Sequence, residues 1–308
     1  MNSAFLQQLK VQQVRDLYCA INGPSVADLP GLTHWQDDSP DFHQRLLALD
    51  ANPTPLLQHL SDHPQSRLGL YFETLWHFYF DQHPRFERLA SNLQIQPDRQ
   101  TTLGELDLIV QDHIGNQSLH IELAIKFYLN PWNHQTQPLR HWVGPELRDR
   151  FDFKYEKTLT QQLPLSQHPC THEILLEQNL SIDKSIAIMK GTLFSQGATA
   201  QQRNVWMTQE QLLQTWPNQK ARYLPKRLWL SPLHPDEHSG IAQLPSLLEA
   251  NADNNPYQIA LLSDQNDEIG RCFVVNACWQ QRAQAFTQLS AKKRLTSSID
   301  SDWTSVGA

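Results

Sequence analysis

The chain has 308 residues, 40% of them hydrophobic and 19% charged, with a formal net charge of −7. That length fits one large domain or two ordinary ones, each able to bury a core. No apolar run is long enough to span a membrane, and the acidic balance excludes a uniformly basic, nucleic-acid-coating surface.

Four cysteines lie scattered without CxxC spacing, which argues against zinc and for a reduced, cytoplasmic setting. The first residues, MNSAFLQQLKVQQVRDL, lack the apolar run and small-residue cleavage site of a secretory signal. A nucleic-acid partner must then be met by a local basic patch, or by metal ions bridging carboxylates to phosphates.

Residues 1–60 read as an N-terminal helical segment, with helices over Val11–Ile21 and Pro40–Ala51 separated by NGPS and followed by NPTP. SDHPQSRLGLYFETLWHFYF (61–80) predicts a helix capped by Ser61 or Asp62, with Pro64 in its first turn. It is apolar almost all round, which implies burial. Three strands follow, over residues 90–96, 102–112 and 118–129, the last two joined as a hairpin by HIGN.

GPELRDRFDFKYEKTLTQQLPL (144–165) predicts a helix, with Leu147, Phe151, Tyr155 and Leu159 at helical spacing, and KSIAIMKGTLF (184–194) another strand. The order helix, three-strand meander, helix, strand makes residues 61–195 a compact α/β unit. Residues 196–308 read as a C-terminal α+β extension, packed on that unit or part of the same domain. It opens with a capping box at Thr208 and Gln211, forms a hairpin from YQIALLSD and EIGRCFVVN, and ends in the helix ACWQQRAQAFTQL and a frayed polar tail.

Charges then fall where a buried core does not want them. Ser66, Gly69, Glu73, His77 and Asp81 form a narrow polar stripe on the first strong helix. Glu105 and Asp107 share one face of the second strand, opposite Leu106, Leu108 and Val110. In HIELAIKFYL, Glu122 and Lys126 share a face opposite Ile121, Leu123 and Ile125. The hairpin can set Asp107 beside Glu122.

Like charges in a partly dry site repel, and a buried unpaired carboxylate is costly. A divalent cation between them removes the conflict, because Mg²⁺ or Mn²⁺ takes carboxylate oxygens and keeps waters. Such an ion supports phosphodiester hydrolysis, with a nearby lysine to stabilise phosphate charge or assist deprotonation of water.

A helix-borne glutamate, then GELDLIV, then a hydrophobic strand carrying Glu and Lys, resembles the PD-(D/E)XK nuclease superfamily. The likeness is closer to the domain of unknown function 1853 family within it, through LGLYFETLWHF, TLGELDLIV, HIELAIKFYL, GPELRDRFDFKYEKTLTQQLPL and MKGTLF. These stretches span residues 68–194.

The resemblance implies a restriction-endonuclease-like core, α-β-β-β-α-β, with a mixed sheet flanked by helices. It makes Asp107 and Glu122 the metal-holding acids and Glu73 the helix acid that completes the site. The superfamily lysine stands two residues after the second acid, where this chain has Ala124. Lys126 lies two further on, its Cα about 13 Å along the strand from that of Glu122. Its stem could lean back over Ala124, or Lys154 on the following helix could supply the cation. Arg150, Lys157 and Gln161, on the same stripe as Lys154, become candidate contacts to substrate phosphates.

Taken singly, each element has an ordinary explanation: a solvated helix acid, a surface ion pair, a solvated basic stripe. The order of the acids, on a helix and then on two adjacent strands, argues for a site. The expected function is metal-dependent hydrolysis of DNA, or of RNA. The alternative is an inactive nuclease-fold module that binds nucleic acid or protein.

Overall fold

Nine strands form one mixed sheet flanked by helices, an α/β architecture seen in a computed structural model that describes residues 2–98, 101–132, 138–197, 203–237, 239–253 and 256–289. The strands are β1 (Phe86–Ile95), β2 (Gly104–Asp112), β3 (Gln117–Leu129), β4 (Lys184–Gln196), β5 (Asn204–Thr208), β6 (Lys220–Leu224), β7 (Ile241–Gln243), β8 (Tyr257–Leu262) and β9 (Glu268–Val275). Their order across the sheet is β1-β2-β3-β4-β5-β9-β8-β6-β7. The meander β1–β3 is antiparallel, and the short turn between β2 and β3 makes the hairpin expected of that pair. The central run β3, β4, β5, β9 is parallel, and the far edge returns to antiparallel pairing.

β4 links the two halves of the sheet. It lies beside β3 along Leu119–Leu129 and pairs with β5 through Ser195 and Gln196. Its free edge between those contacts is covered by the segment after the second helix. There Val26 N–H donates to Met189 O at 2.9 Å and Thr33 N–H to Ala187 O at 2.7 Å. Lys190, buried on β4, ties the same segment down through Gly23 O (2.9 Å) and Trp35 O (2.7 Å).

On one face of the first half lie α1 (Ser3–Leu6), α2 (Gln12–Asn22), α3 (Pro40–Ala51), α4 (Thr54–Asp62) and α5 (Leu68–Gln82). Phe72, Leu75 and Trp76 of α5 belong to one core with Leu108 and Val110 of β2, Ile121 and Leu123 of β3, and Ile186 and Ile188 of β4. Each such side chain contributes about 1.5–3 kcal/mol on burial, which outweighs the few tenths that aromatic residues cost in helix propensity. The opposite face carries α6 (Phe151–Lys157), α7 (Leu163–Leu165) and α8 (Pro169–Glu177). The second half is covered by α9 (Gln209–Thr215) and α10 (Leu244–Ala250) through one core cluster, and by α11 (Trp279–Thr287) through another.

Two expected helix starts differ. The helix expected from Ser61 begins at Leu68, because Ser61 and Asp62 close α4 instead. His63, the residue before Pro64, leaves helical geometry (φ −123°, ψ 65°), as a following proline demands. The helix expected from Gly144 begins at Phe151. Residues 144–150 form a closed loop, with Gly144 N–H on Asp149 O at 2.8 Å and Leu147 held at φ 56°.

The capping box at Thr208 and Gln211 and the β8–β9 hairpin are present as expected. All four cysteines are free thiols. The polar tail lies outside the described residues.

Candidate active site

The site begins where two strands part. The β2–β3 ladder runs from Asp112 opposite Gln117 to Leu108 opposite Ile121 and ends there. Beyond that point β2 stays with β1 (Leu106 opposite Leu93), while β3 stays with β4 (Glu122 opposite Ala187). One more step in register would set Asp107 opposite Glu122. The backbones separate instead, and Asp107 Oδ2 accepts the Leu123 N–H at 2.9 Å, satisfying an amide that β2 has left behind.

Glu73 reaches this fork from α5. Asn92, held at φ 51° on β1, donates to Glu105 Oε1 at 2.9 Å and also to the Glu73 carboxylate. Burial first, and then the facing charges of Glu105 and Glu122, push the Glu73 carboxyl up to about 7 despite the Asn92 bond. Asp107 is pushed well above the usual carboxylate range, by burial and then by Glu122, against the lowering effect of the Leu123 amide. The fork thus gathers more carboxyl groups than its surroundings readily keep ionised.

Glu122 is 2% exposed and held at both oxygens. Its Oε1 lies 3.0 Å from His120 Nε2, and Oε2 accepts from Gln162 Nε2. His120 is completely buried, and its Nδ1 is 3.1 Å from Ser185 Oγ, itself 2.7 Å from Ser166 Oγ. A proton on Nε2 satisfies this chain, with His120 donating to Glu122 and accepting from Ser185.

The cation at the fork is Lys154. Its ammonium is pushed down by burial and by Lys126, and drawn the other way by the charges of Glu122 and Asp107. Lys154 Nζ donates to Gln162 Oε1 at 2.8 Å, and that amide donates to Glu122, so one glutamine joins lysine to acid. Lys126 points elsewhere, with Nζ 2.5 Å from Asp149 Oδ2, which also accepts from Tyr128 at 3.2 Å. Its stem does not lean back over Ala124.

A family model described as Domain of unknown function (DUF1853) matches residues 15–275. The chain belongs to that family. No curated protein and no solved structure matches it. The match covers every residue of the fork in this DUF1853 protein, from Glu73 to Gln162.

The basic stripe of the DUF1853 chain is broken by a π-helical turn at Thr158–Gln162. In an unbroken α-helix Gln161, seven residues after Lys154, stands within about 20° of it, and Gln162 about 80° away. The wider turn inserts one residue and exchanges them, so Gln162 faces the acids and Gln161 faces solvent. Gln162 and His120 are the site residues that sequence reasoning missed. Only the position of His120, two before Glu122 on the same strand face, could have signalled it.

Arg150 is not placed for phosphate contact. It is 4% exposed, paired with Asp152 at 2.6 Å, and its Nη1 caps the carbonyls of Phe286, Thr287 and Leu289 at the end of α11. A helix starting at 144 would have set it on the stripe, but it stands one residue before α6 instead. Lys157 is exposed.

Among the described residues no group of three or more His, Cys, Asp or Glu side chains forms a ready metal cage. Mg²⁺ does not require one, because it commonly uses one or two carboxylates and completes its shell with water and phosphate. Asp107 and Glu122 bring to the fork two carboxyl groups of the type such an ion takes, and burial beside Glu122 raises the proton affinity of Asp107.

Proposed function

We propose that this DUF1853 protein is a Mg²⁺- or Mn²⁺-dependent phosphodiesterase that hydrolyses nucleic acid, DNA in the first instance. One observation carries the reading: Asp107 of β2 binds the β3 amide beside Glu122, Gln162 joins Glu122 to the half-buried Lys154, and Glu73 of α5 lies close enough to feel Glu122. The run α5, β1, β2, β3, α6–α8, β4, with β4 parallel to β3, supports a restriction-endonuclease-like core and PD-(D/E)XK kinship.

In this reading Asp107 and Glu122 would hold the ion, which would supply Lewis acidity toward a phosphoryl oxygen and make water a better nucleophile. Glu73, whose carboxyl titrates near neutrality, accepts or returns a proton at the edge of the site. Lys154 takes the lysine role in preference to Lys126, because its ammonium feels Glu122 and Asp107 while that of Lys126 is engaged by Asp149. Its positive charge stabilises the additional negative charge that develops on phosphate. His120 and Gln162 hold the Glu122 carboxylate in one orientation.

Calorimetric titration with Mg²⁺ and Mn²⁺, together with cleavage of labelled DNA and RNA, tests this. Metal binding and cleavage that disappear together in Glu122→Ala are expected. Absence of both in the wild-type chain overturns the reading.

A second reading draws on the state of Glu122, whose oxygens already have His120 and Gln162 as partners. It treats the chain as a nuclease-fold module that binds without cutting. Metal-independent binding of nucleic acid with no turnover is its signature.

A further inference from the structure

A second feature, which the proposed chemistry does not use, lies farther along β3 from Glu122. A cavity of about 320 Å³ runs from the start of α5, past the end of β3, to the segment after β6. Its floor is apolar, with Leu68, Phe127 and Trp229, the two rings lying edge to face at 5.4 Å and 76°. Its rim is basic, with Arg67, Lys126, Arg148 and Lys226. Among the described residues of the lining, Glu146 and Asp149 oppose them. Among the described residues of the lining the cations outnumber the carboxylates, on a chain whose net charge is −7.

The pairing within the rim is uneven. Glu146 is shared by Lys226 at 2.6 Å and Arg148 at 3.5 Å, and Asp149 is taken by Lys126. Arg67 has no ion-pair partner among the described residues. Lys226 lies 6.0 Å over the Trp229 ring. The surplus charge therefore lines an apolar slot. A duplex backbone alone has no use for such a floor, and an apolar peptide has no use for the rim.

The position fixes how the slot relates to the fork. Lys126 projects from the same face of β3 as Glu122, four residues on, and its charge is felt by Lys154. Arg67 and Leu68 stand at the start of the helix that delivers Glu73. The slot therefore adjoins the fork through Lys126 and the start of α5, at the edge of β3 that β2 has left.

We infer that this slot receives an unpaired nucleotide beside the scissile phosphate, its base on the Leu68–Phe127–Trp229 floor and its phosphates on the Arg67–Lys126–Arg148–Lys226 rim. The inference rests on the phosphodiesterase reading and names its substrate class: single-stranded nucleic acid, or a duplex end whose terminal bases are open. The base is selected by planarity and apolar contact, and the backbone by charge. No groove reading of a base pair is involved.

Fluorescence polarisation on the full-length chain tests it, with a labelled single-stranded oligodeoxynucleotide and a blunt duplex of the same length. Glu122→Gln prevents cleavage during the measurement. We expect single strand to bind at least 10-fold tighter than duplex. Arg67→Glu and Arg148→Glu, both at exposed positions, are each expected to weaken single-strand binding at least 5-fold at unchanged thermal midpoint.

Equal affinity for the two forms, or reversals that leave binding unaltered, overturns the slot. The two ideas fail separately. Cleavage with Mg²⁺ that is indifferent to both reversals removes the slot and keeps the phosphodiesterase. Single-strand binding that both reversals weaken, in a chain that never cleaves, keeps the slot and removes the catalysis.

Discussion

Lys154 donates to Gln162, and Gln162 donates to Glu122, so the ammonium at the fork is held by a residue that a π-helical turn has rotated into place. Lys126, nearer in sequence to the place where the PD-(D/E)XK pattern sets its lysine, is 2.5 Å from Asp149 and shares its carboxylate with Tyr128. This division predicts unequal losses. Lys154→Ala should lower the single-turnover rate of DNA cleavage about 100- to 1,000-fold, the usual effect of removing a group that stabilises transition-state charge. Lys126→Ala should lower it less than about 10-fold, chiefly through substrate affinity. Equal losses, or a larger one at Lys126, would return the catalytic role to Lys126.

His120 is predicted to act through Glu122. Replacing it with alanine removes the donor 3.0 Å from Glu122 Oε1 and leaves Ser185 without its ring partner. Partners that orient a metal-binding side chain typically contribute 10- to 100-fold in metal affinity. His120→Ala should therefore weaken Mn²⁺ binding by roughly that factor in calorimetry. His120→Asn, whose amide can still donate toward Glu122, should recover part of it. A loss of thermal stability with unchanged Mn²⁺ affinity would make His120 a core residue and nothing more.

Much of this was legible because strand alternation and hydrophobic periodicity determine which side chains share a face. Asp107 and Glu122 were readable as neighbours from the hairpin alone, and the ladder ends one step short of pairing them. The split of β2 from β3 was not readable, since it depends on β1 and β4 each retaining its own partner. The π turn was equally hidden, as nothing in TLTQQ distinguishes it from an α-helical turn, and it moved the relevant glutamine by one position. Arg150 was misplaced for a related reason. Its carbonyl partners lie more than 130 residues away, and local spacing carries no information about them.

Arg150 is accordingly predicted to matter for stability and not for substrate. Arg150→Ala removes the ion pair with Asp152 and strands three carbonyls at the end of α11. The cost should be about 2–4 kcal/mol in urea unfolding, as for the loss of a buried charged donor. Affinity of the folded fraction for DNA should not change. Lys157→Ala, at an exposed position, should do the reverse, leaving stability within about 0.5 kcal/mol while reducing the salt dependence of binding. A selective loss of DNA affinity in a fully folded Arg150→Ala chain would restore the phosphate-contact role.

Asp16, far along the chain from the fork, gives a prediction about pH. It is completely buried where α2 meets α5 and the 230s, accepting from Ser231 Oγ at 2.6 Å and Tyr71 Oη at 2.9 Å. Burial raises its pKa from 3.8 to about 6, although those hydrogen bonds and the neighbouring Arg15, itself paired with Glu237, pull it down. A folded-state value above the unfolded one means that the native state binds more protons between those two pH values. Stability from this group is full below pH 4, declines as pH rises through the window, and is gone above pH 6. Asp16→Asn cannot ionise and should lack this decline. The stability of Asp16→Asn relative to wild type should therefore rise by about 1–3 kcal/mol between pH 4 and pH 7. Urea unfolding at pH 4, 5, 6 and 7 reads the difference directly, and parallel pH profiles for the two proteins would show that Asp16 enters the core already ionised.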